Sequence, residues 1–521
     1  MLSIKKNLIY RLFFFLSAER KIQFCFLIFF FILNGIFESF SIATIIPFIS
    51  LIAFKNDVSS LPVAGKIFTF FGVTDISRSI LLITIIFSFF IFLSILFKIF
   101  NLRYSYYLAA KLEIDLSKLI FKNNIYQSYI NYTKRNSSEM ISVTLEKVSQ
   151  TSTAFCNFLN LLGNIICGTF IIGSLLIINW KVVFLSIVFI TVYYLFIYKK
   201  VSNTLYNNGK ILSIYSPKRL RILQEVFLGF RDVIVNGTEN FYIDTFSKLD
   251  KDYKLRLAKA RFITLFPRYL IEGFLILLLV IIGYKISLSD MSVLSLLPLF
   301  GTFIYAYQRL LPLMQQIYST RTYYKSFFVS ISEVIEELEN TKNIKKTITK
   351  KNNLVFKKNI MFKDIFFTYD KSDNYILKDL NLTINKGDHI GIYGETGSGK
   401  STFIDILIGL LPPTKGEIFI DGEEIYKKIQ SLSWTSKIAH VSQNIFLKEG
   451  TIAENIAFGE SLKSINNELL IKASKSAHIY DFIKKTSGGF QTKVGERGIN
   501  LSGGQRQRIA IARAFYRNTK I

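Results

Sequence analysis

The chain has 521 residues, half of them apolar, 50 of them phenylalanine, with a mean hydropathy of +0.34. A composition this apolar argues against a soluble enzyme over the whole length. The formal charge of +27 would suit a nucleic-acid partner, but no nucleic-acid module is visible. The basic residues lie between apolar runs, where lysine and arginine mark cytoplasmic loops. Cys25, Cys156 and Cys167 sit in apolar runs without metal or secreted-type spacing, so they read as packing residues. His389, His440 and His478 are scattered and have no metal-ligating partner at useful spacing.

The chain begins with Lys5 and Lys6 before an apolar stretch, Leu8 to Ala18, that Arg11 interrupts. That pattern predicts an interfacial helix leading into a membrane span rather than a signal peptide. Six apolar runs follow, each near or above the ~20 residues that cross a bilayer. They are Ile22 to Phe54, Ile80 to Phe100, Ala154 to Ile178, Val182 to Tyr198, Phe262 to Ile286 and Val293 to Ile317. Runs three and four are joined by Asn179-Trp180-Lys181, and five and six by a turn around Ser287 to Asp290. Asn101 to Thr153 and Lys199 to Arg261 are long and basic, which places them and both termini on the cytoplasmic side. Both long segments read as helices projecting from the membrane, each reversing through a short turn. The candidate turns are Asn124 to Tyr132 and Val226 to Val235.

A helical stretch to Leu338 is followed by a polar, lysine-rich run, Glu339 to Asn353, that reads as a linker. From Leu354 onward β-branched strands, glycine turns and short helices alternate, so the expected organisation is an all-α membrane domain over 1–338, a linker over 339–353 and an α/β domain over 354–521.

The last domain carries the chemistry. Gly394-Glu395-Thr396-Gly397-Ser398-Gly399-Lys400-Ser401 is a G-x-x-x-x-G-K-[ST] phosphate loop. It lies between a strand-like run, His389 to Tyr393, and a helix-like run, Thr402 to Leu411. Loop amides and a helix N-terminus suit phosphate, Lys400 would pair with the β- and γ-phosphates and the Ser401 hydroxyl would ligate Mg²⁺, so an α/β P-loop ATPase domain is expected over 354–521. About a hundred residues later comes Leu501-Ser502-Gly503-Gly504-Gln505, opening a helix-like run from Gln505 to Ala514.

The phosphate loop, this LSGGQ segment and the preceding apolar spans together resemble an ATP-binding-cassette exporter, a half-transporter with its membrane domain fused to its ATPase. The resemblance runs the length of the chain and implies ATP and Mg²⁺ as cofactors. It also implies that Tyr369, in Phe366-Phe367-Thr368-Tyr369, stacks on adenine, although by itself such a residue reads as a strand-edge tyrosine. By the same resemblance Gln443 approaches Mg²⁺ and the attacking water, where the residues alone suggest a solvated loop glutamine. Thr492 to Gly498 and the two short turns take coupling roles, against the plainer readings of a charged turn and loop helices. Leu501 to Gln505 would hold the γ-phosphate of ATP bound by a partner protomer, which implies two composite sites and, by base rate, a homodimer; a heterodimer stays open.

Charges inside the spans are the substrate clue: Glu38 in run one, Arg268 and Glu272 in run five, Arg309 in run six. Their plain reading is a structural Arg268–Glu272 pair with Arg309 reaching the headgroups. These segments, with Pro47-Phe48-Ile49 and Pro267-Arg268, look similar to flippases for lipid-linked oligosaccharides, in which arginine suits a diphosphate. The expectation is ATP-driven export of a lipid-linked or other amphipathic substrate at the cytoplasmic membrane, with membrane lipid and no nucleic acid as partner. Export of lipid or peptide, and a nucleotide-binding but hydrolysis-deficient partner, stand as alternatives. The sequence stops at Ile521, ahead of the Walker B strand, its carboxylates and the switch histidine that such transporters carry. A C-terminally truncated form without measurable ATPase is therefore expected.

Overall fold

In the computed structural model the described residues are 8–54, 76–287, 293–344, 356–369, 374–426, 434–519 and 521. The last turn of the membrane domain, Leu288 to Asp290, and most of the linker lie outside them. The chain divides into two compact units: Met1–Gln127 with Arg135–Ile344, and Ser128–Lys134 with Lys345–Ile521.

The first unit is helical throughout. A short amphipathic helix, α1 (Leu8–Phe15), buries Leu8 and Leu12 and ties Arg11 to Glu339 at 2.6 Å. Two long helices follow, α2 (Ala18–Phe54) and α3 (Ile76–Tyr126). At a rise of 1.5 Å per residue α3 is about 76 Å long, more than twice the ~30 Å hydrocarbon core, so it must extend well beyond a bilayer. No glycine or proline interrupts it. Only 11% of its apolar window is buried within the protein. An apolar surface left so bare on a long helix calls for lipid as its solvent. Among the described residues, three helical stretches are long and apolar enough to cross a membrane: Ala18–Ile49, Ser77–Tyr126 and Ser137–Ile177.

Helix α4 (Tyr129–Thr133) belongs to the second unit. Helix α5 (Ser137–Ser142) runs through a π turn, Val143–Lys147, into α6 (Val148–Leu228). Helical bonding is continuous over α6, yet the Ser216 hydroxyl lies 2.7 Å from that of Ser142 and also contacts Glu146. A straight helix cannot bring such distant residues together, so α6 doubles back. The unit is completed by α7 (Phe230–Val235), α8 (Glu239–Ser287), α9 (Val293–Ser326) and α10 (Phe328–Ile344).

Beyond the apolar spans a polar cluster locks these helices. The π turn directs Glu146 and Lys147 inward. Lys147, 2% exposed, pairs with Glu333, which also accepts from the Ser213 hydroxyl at 2.7 Å. Glu146 accepts from Tyr253 at 2.6 Å, and the Arg219 guanidinium lies 4.2 Å from the centre of that ring. A buried lysine is tolerated only with its counter-charge in place.

The second unit contains an antiparallel sheet of order β2-β1-β3-β4, formed by β1 (Asn359–Phe367), β2 (Leu377–Asn385), β3 (Lys415–Ile420) and β4 (Glu423–Glu424). The register of β1 shifts between Phe362 and Ile365, and Asp364 sits there at φ +50°. This bulge lets Ile360, Phe362, Ile365 and Phe367 all enter the core although their spacing is not strictly alternate. Helix α11 (Lys400–Ile408) packs beneath through Phe403 and Ile406, with the Phe362 and Phe403 rings 5.3 Å apart. A second core, built around Leu447, Ile456, Leu470 and Ile509, joins α12 (Ile452–Ile456), α13 (Asn467–Ser476), α14 (Tyr480–Lys485) and α15 (Gly503–Tyr516).

One local expectation fails. His389 to Tyr393, read as a strand, has no sheet partner among the described residues and is exposed, Tyr393 almost completely. An extended apolar run becomes a strand only when neighbours satisfy its backbone, and here no ladder includes it.

Candidate nucleotide site

The phosphate loop is built by backbone geometry. Gly397 and Gly399 both have φ of +89°, a region that other residues enter only with strain. A Cβ on Gly399 would also stand 3.0 Å from Ile376 and Leu377 side-chain atoms. Two independent constraints therefore require glycine there. Gly399 caps α11, which begins at Lys400, so the helix N-terminus opens directly onto the loop. The Lys400 ammonium donates to the carbonyls of Gly394 at 2.8 Å and Glu395 at 2.7 Å, curling the loop around itself. Gly394 to Ser398 and Ser401 are exposed, as a surface that takes up a ligand must be. These amides, Lys400 and the Ser401 hydroxyl together fit a nucleotide polyphosphate with its Mg²⁺.

Tyr369 is twenty-five residues before the loop in sequence but adjacent to it in space. Its hydroxyl lies 3.4 Å from Thr402 Oγ1, and the Phe367 ring meets it edge-on at 5.0 Å. Thr402 is buried and Tyr369 is partly exposed beside the phosphate loop. Tyr369→Ala is expected to weaken ATP binding by ~1–3 kcal/mol, the worth of a stacked base, in a titration of the full chain with ATP. An affinity equal to that of the parent chain would remove Tyr369 from the site.

Helix α4 meets the same neighbourhood within this unit. Ile130 packs on the sheet core, and the Tyr129 hydroxyl is held above its ordinary range by burial and then by Asp405 and Tyr369 beside it. Burial likewise pushes the Asp405 carboxyl upward, opposed by His440. Of the two expected turns, this one therefore groups with the ATPase core. The other, α7 with the end of α6, exposes Phe227, Phe230, Ile234 and Val235 in the helical unit. Gln443 is exposed in a bend next to Ser442, whose hydroxyl donates to the Asn444 carbonyl at 2.7 Å.

Ser502 starts α15 with a reciprocal capping box: its hydroxyl accepts from Gln505 N–H, and Gln505 Oε1 accepts from Ser502 N–H at 2.8 Å. Leu501 is buried as an anchor, while Ser502, Gly503 and Gly504 face outward. This helix packs in the second core, whereas α11 packs in the first. The phosphate loop and the LSGGQ turn thus belong to separate packing layers. Within Thr492 to Gly498, Val494 is buried and bonded to Gly450, and Glu496 and Arg497 are exposed.

The sequence reading missed Arg513. It donates to the carbonyls of Asn455 at 2.9 Å and Phe446 at 3.0 Å and lies over the Phe458 ring at 4.6 Å. It joins α15 to the segment that follows Gln443. A lone arginine in a helix gives no hint of such a role, because its carbonyl acceptors are set by loop geometry.

In the membrane region, Arg309 lies 3.7 Å from Glu38 and donates to the Tyr305 hydroxyl at 3.0 Å. Arg268 instead pairs with Glu272, four residues on, at 2.9 Å.

A glycine-built phosphate loop at a helix N-terminus, a flanking aromatic and a separate LSGGQ helix define an ATP-binding domain, here joined to a domain of long apolar helices. Residues 377–521 match the family described as ABC transporter, and they are the ATP-binding domain of one. The chain is 28% identical over 329 residues to an ATP-dependent lipid A-core flippase of Methylobacillus flagellatus, covering 62% of this chain and 54% of that protein. It is 33% identical over 302 residues to the heterocyst differentiation ATP-binding protein HepA of Nostoc sp., covering 57% and 48%. It is 42% identical over 163 residues to the ABC multidrug transporter mdr1 of Aspergillus fumigatus, covering 31% and 12%. The matches thus span between about an eighth and about half of these curated relatives. A solved bacterial Atm1-family ABC exporter with ATP bound superposes with a TM-score of 0.73 at 21% identity, covering 96% of this chain and 85% of that one. The fold is that of an ABC exporter.

Proposed function

We propose that the protein is an ATP-driven exporter half that moves a lipid-linked oligosaccharide, or a similar amphipathic substrate, outward across the cytoplasmic membrane. The observation that carries this is the joining of a complete phosphate loop, with Tyr369 beside it, to apolar helices too long and too bare for water. ATP with Mg²⁺ binds at Lys400 and Ser401, and Gln443 orients the attacking water. The outward-facing Ser502, Gly503 and Gly504, in a layer apart from α11, support a second protomer that completes each site. The exposed apolar turn around Phe230 supports the same dimer, a homodimer by base rate, with a heterodimer open. ATP binding closes the two ATPase domains and switches the helices, and hydrolysis resets them.

The test is ATP-dependent movement of a fluorescent polyprenyl-diphosphate glycan by the full chain in proteoliposomes. Nucleotide binding without movement would favour the alternative, a hydrolysis-deficient partner. Movement of phospholipid or peptide but not of the glycan would leave export and reassign the substrate. Arg309, paired with Glu38 inside the helical unit, is our candidate for contact with the substrate's phosphate; Arg268 is the weaker candidate. Arg309→Ala should lower glycan movement roughly tenfold, the worth of one charge-assisted hydrogen bond at the low end of its ~1.5–3 kcal/mol range, while Arg268→Ala changes it less. Unaltered movement in Arg309→Ala would make that residue an anchor of Glu38 only.

A further inference from the structure

Between α2, α3, α6 and α9 lies a cavity of about 330 Å³ whose lining is not what an apolar span predicts. Asn157, Asn160 and Asn164 enter it from one face of α6, following the i, i+3, i+7 spacing of a helix. Asn34, Asn101 and Gln316 face them from the other three helices. Six carboxamides thus converge on one cavity, and those that are buried there are costly unless paired.

Two of them are not fully paired. Asn34 and Asn101 are 5% and 4% exposed, and the Oδ1 atom of each has no hydrogen-bond partner. Their orientation is fixed by the other end of the amide. Asn34 Nδ2 donates to Cys167 Sγ at 3.1 Å, and Asn101 Nδ2 donates to the Phe30 carbonyl at 3.2 Å. Two buried acceptors are therefore left asking for donors. Glu38, a further acceptor, lines the same cavity with its charge balanced by Arg309, and Lys98 stands exposed in its wall.

The chemistry narrows the occupant. An apolar ligand would leave both acceptors unsatisfied, and a bare phosphate has no donors to offer them. A cationic headgroup would meet Lys98. A group carrying several hydroxyls both donates and accepts, as carboxamides require. The volume, at the small end of ligand pockets, holds a headgroup and not a whole lipid. Asn101, Asn157 and Gln316 sit at the cytoplasmic ends of their apolar runs, so the cavity lies at headgroup depth.

We infer that this carboxamide cavity is a binding site for the sugar nearest the lipid anchor of an amphipathic substrate. Asn34 and Asn101 read its hydroxyls, and Lys98 holds the acidic group that joins it to the lipid. The inference rests on the proposed export of an amphipathic substrate and assigns it a recognition site.

The test uses the full chain in phosphatidylcholine nanodiscs with three probes: polyprenyl-phosphate-linked N-acetylglucosamine, the same polyprenyl phosphate without sugar, and free N-acetylglucosamine. The expected result is at least tenfold tighter binding of the sugar-bearing lipid than of either of the others. The double variant Asn34→Ala with Asn101→Ala should erase the preference between the two lipids, with ATP affinity retained as the control for folding. Should that variant lose ATP binding, Asn164→Leu decides, because Asn164 stands half-buried in the wall; a severalfold loss of preference is expected. Lys98→Gln should weaken both lipids alike. Equal binding of the two lipids by the parent chain would overturn the sugar site while leaving amphipathic export intact. Binding of neither lipid would overturn both. Free sugar binding as tightly as the linked form would overturn the headgroup assignment, as would a preference that survives in every folded variant.

Discussion

Replacing Lys400 by alanine is expected to weaken ATP binding by the full chain ten- to a hundredfold. In the proposed site the ammonium would be the charge nearest the phosphates, and a hydrogen bond to a charged group is worth ~1.5–3 kcal/mol. It also ties α11 to the loop carbonyls of Gly394 and Glu395, so its loss relaxes the loop that presents the amides. Titration with ATP measures the effect, and titration with adenosine provides the contrast. Adenosine lacks the phosphates and should lose little affinity, because its contacts centre on Tyr369. An equal loss for both ligands would mean that the substitution unfolds the domain instead of removing a phosphate contact. No loss for ATP would take the loop out of nucleotide binding.

The largest stability change is expected at Trp434. It is completely buried beside Phe356, and its indole N–H donates to the Leu407 carbonyl at 2.7 Å. That carbonyl lies in the last turn of α11, where no helical partner remains for it. Trp434→Ala removes the largest side chain of the first core and should cost ~3–5 kcal/mol. That is a large part of the ~5–15 kcal/mol that holds a domain together. Trp434→Phe keeps most of the apolar volume but leaves the Leu407 carbonyl buried without a donor, at a cost of ~1–3 kcal/mol. Limited proteolysis of the ATPase domain across a urea series should rank alanine below phenylalanine and phenylalanine below the parent. Equal resistance of the two variants would show that the hydrogen bond, and not the volume, carries the stability.

Much of the nucleotide site is legible in the residues because its determinants are local. A glycine at a positive-φ position, a lysine at the first turn of a helix and a serine that caps the next one act within a few residues of themselves. That is why Gly397, Gly399, Lys400, Ser502 and Gln505 are found where their spacing places them. The apolar runs are legible for the same reason: twenty consecutive hydrophobic residues need lipid or burial whatever surrounds them.

The rest depended on contacts between segments far apart in the chain. His389 to Tyr393 has the composition of a strand, but a ladder partner decides whether it becomes one. The bulge at Asp364 re-phases β1 so that Ile365 enters the core, and only the pairing with β2 and β3 reveals it. Glu38 and Arg309 stand 271 positions apart in the numbering and form a pair only because α2 and α9 pack together. The asparagines of α6 are visible one by one, yet their convergence with Asn34 and Asn101 requires four helices to meet. The chain by itself thus determined which segments are long and apolar enough to enter lipid and which loop takes the glycine-built form ahead of α11, since backbone conformation and hydrophobicity are properties of short stretches. Tertiary structure decided which polar groups share a cavity and which remain without partners, because that depends on where separate helices bring their faces.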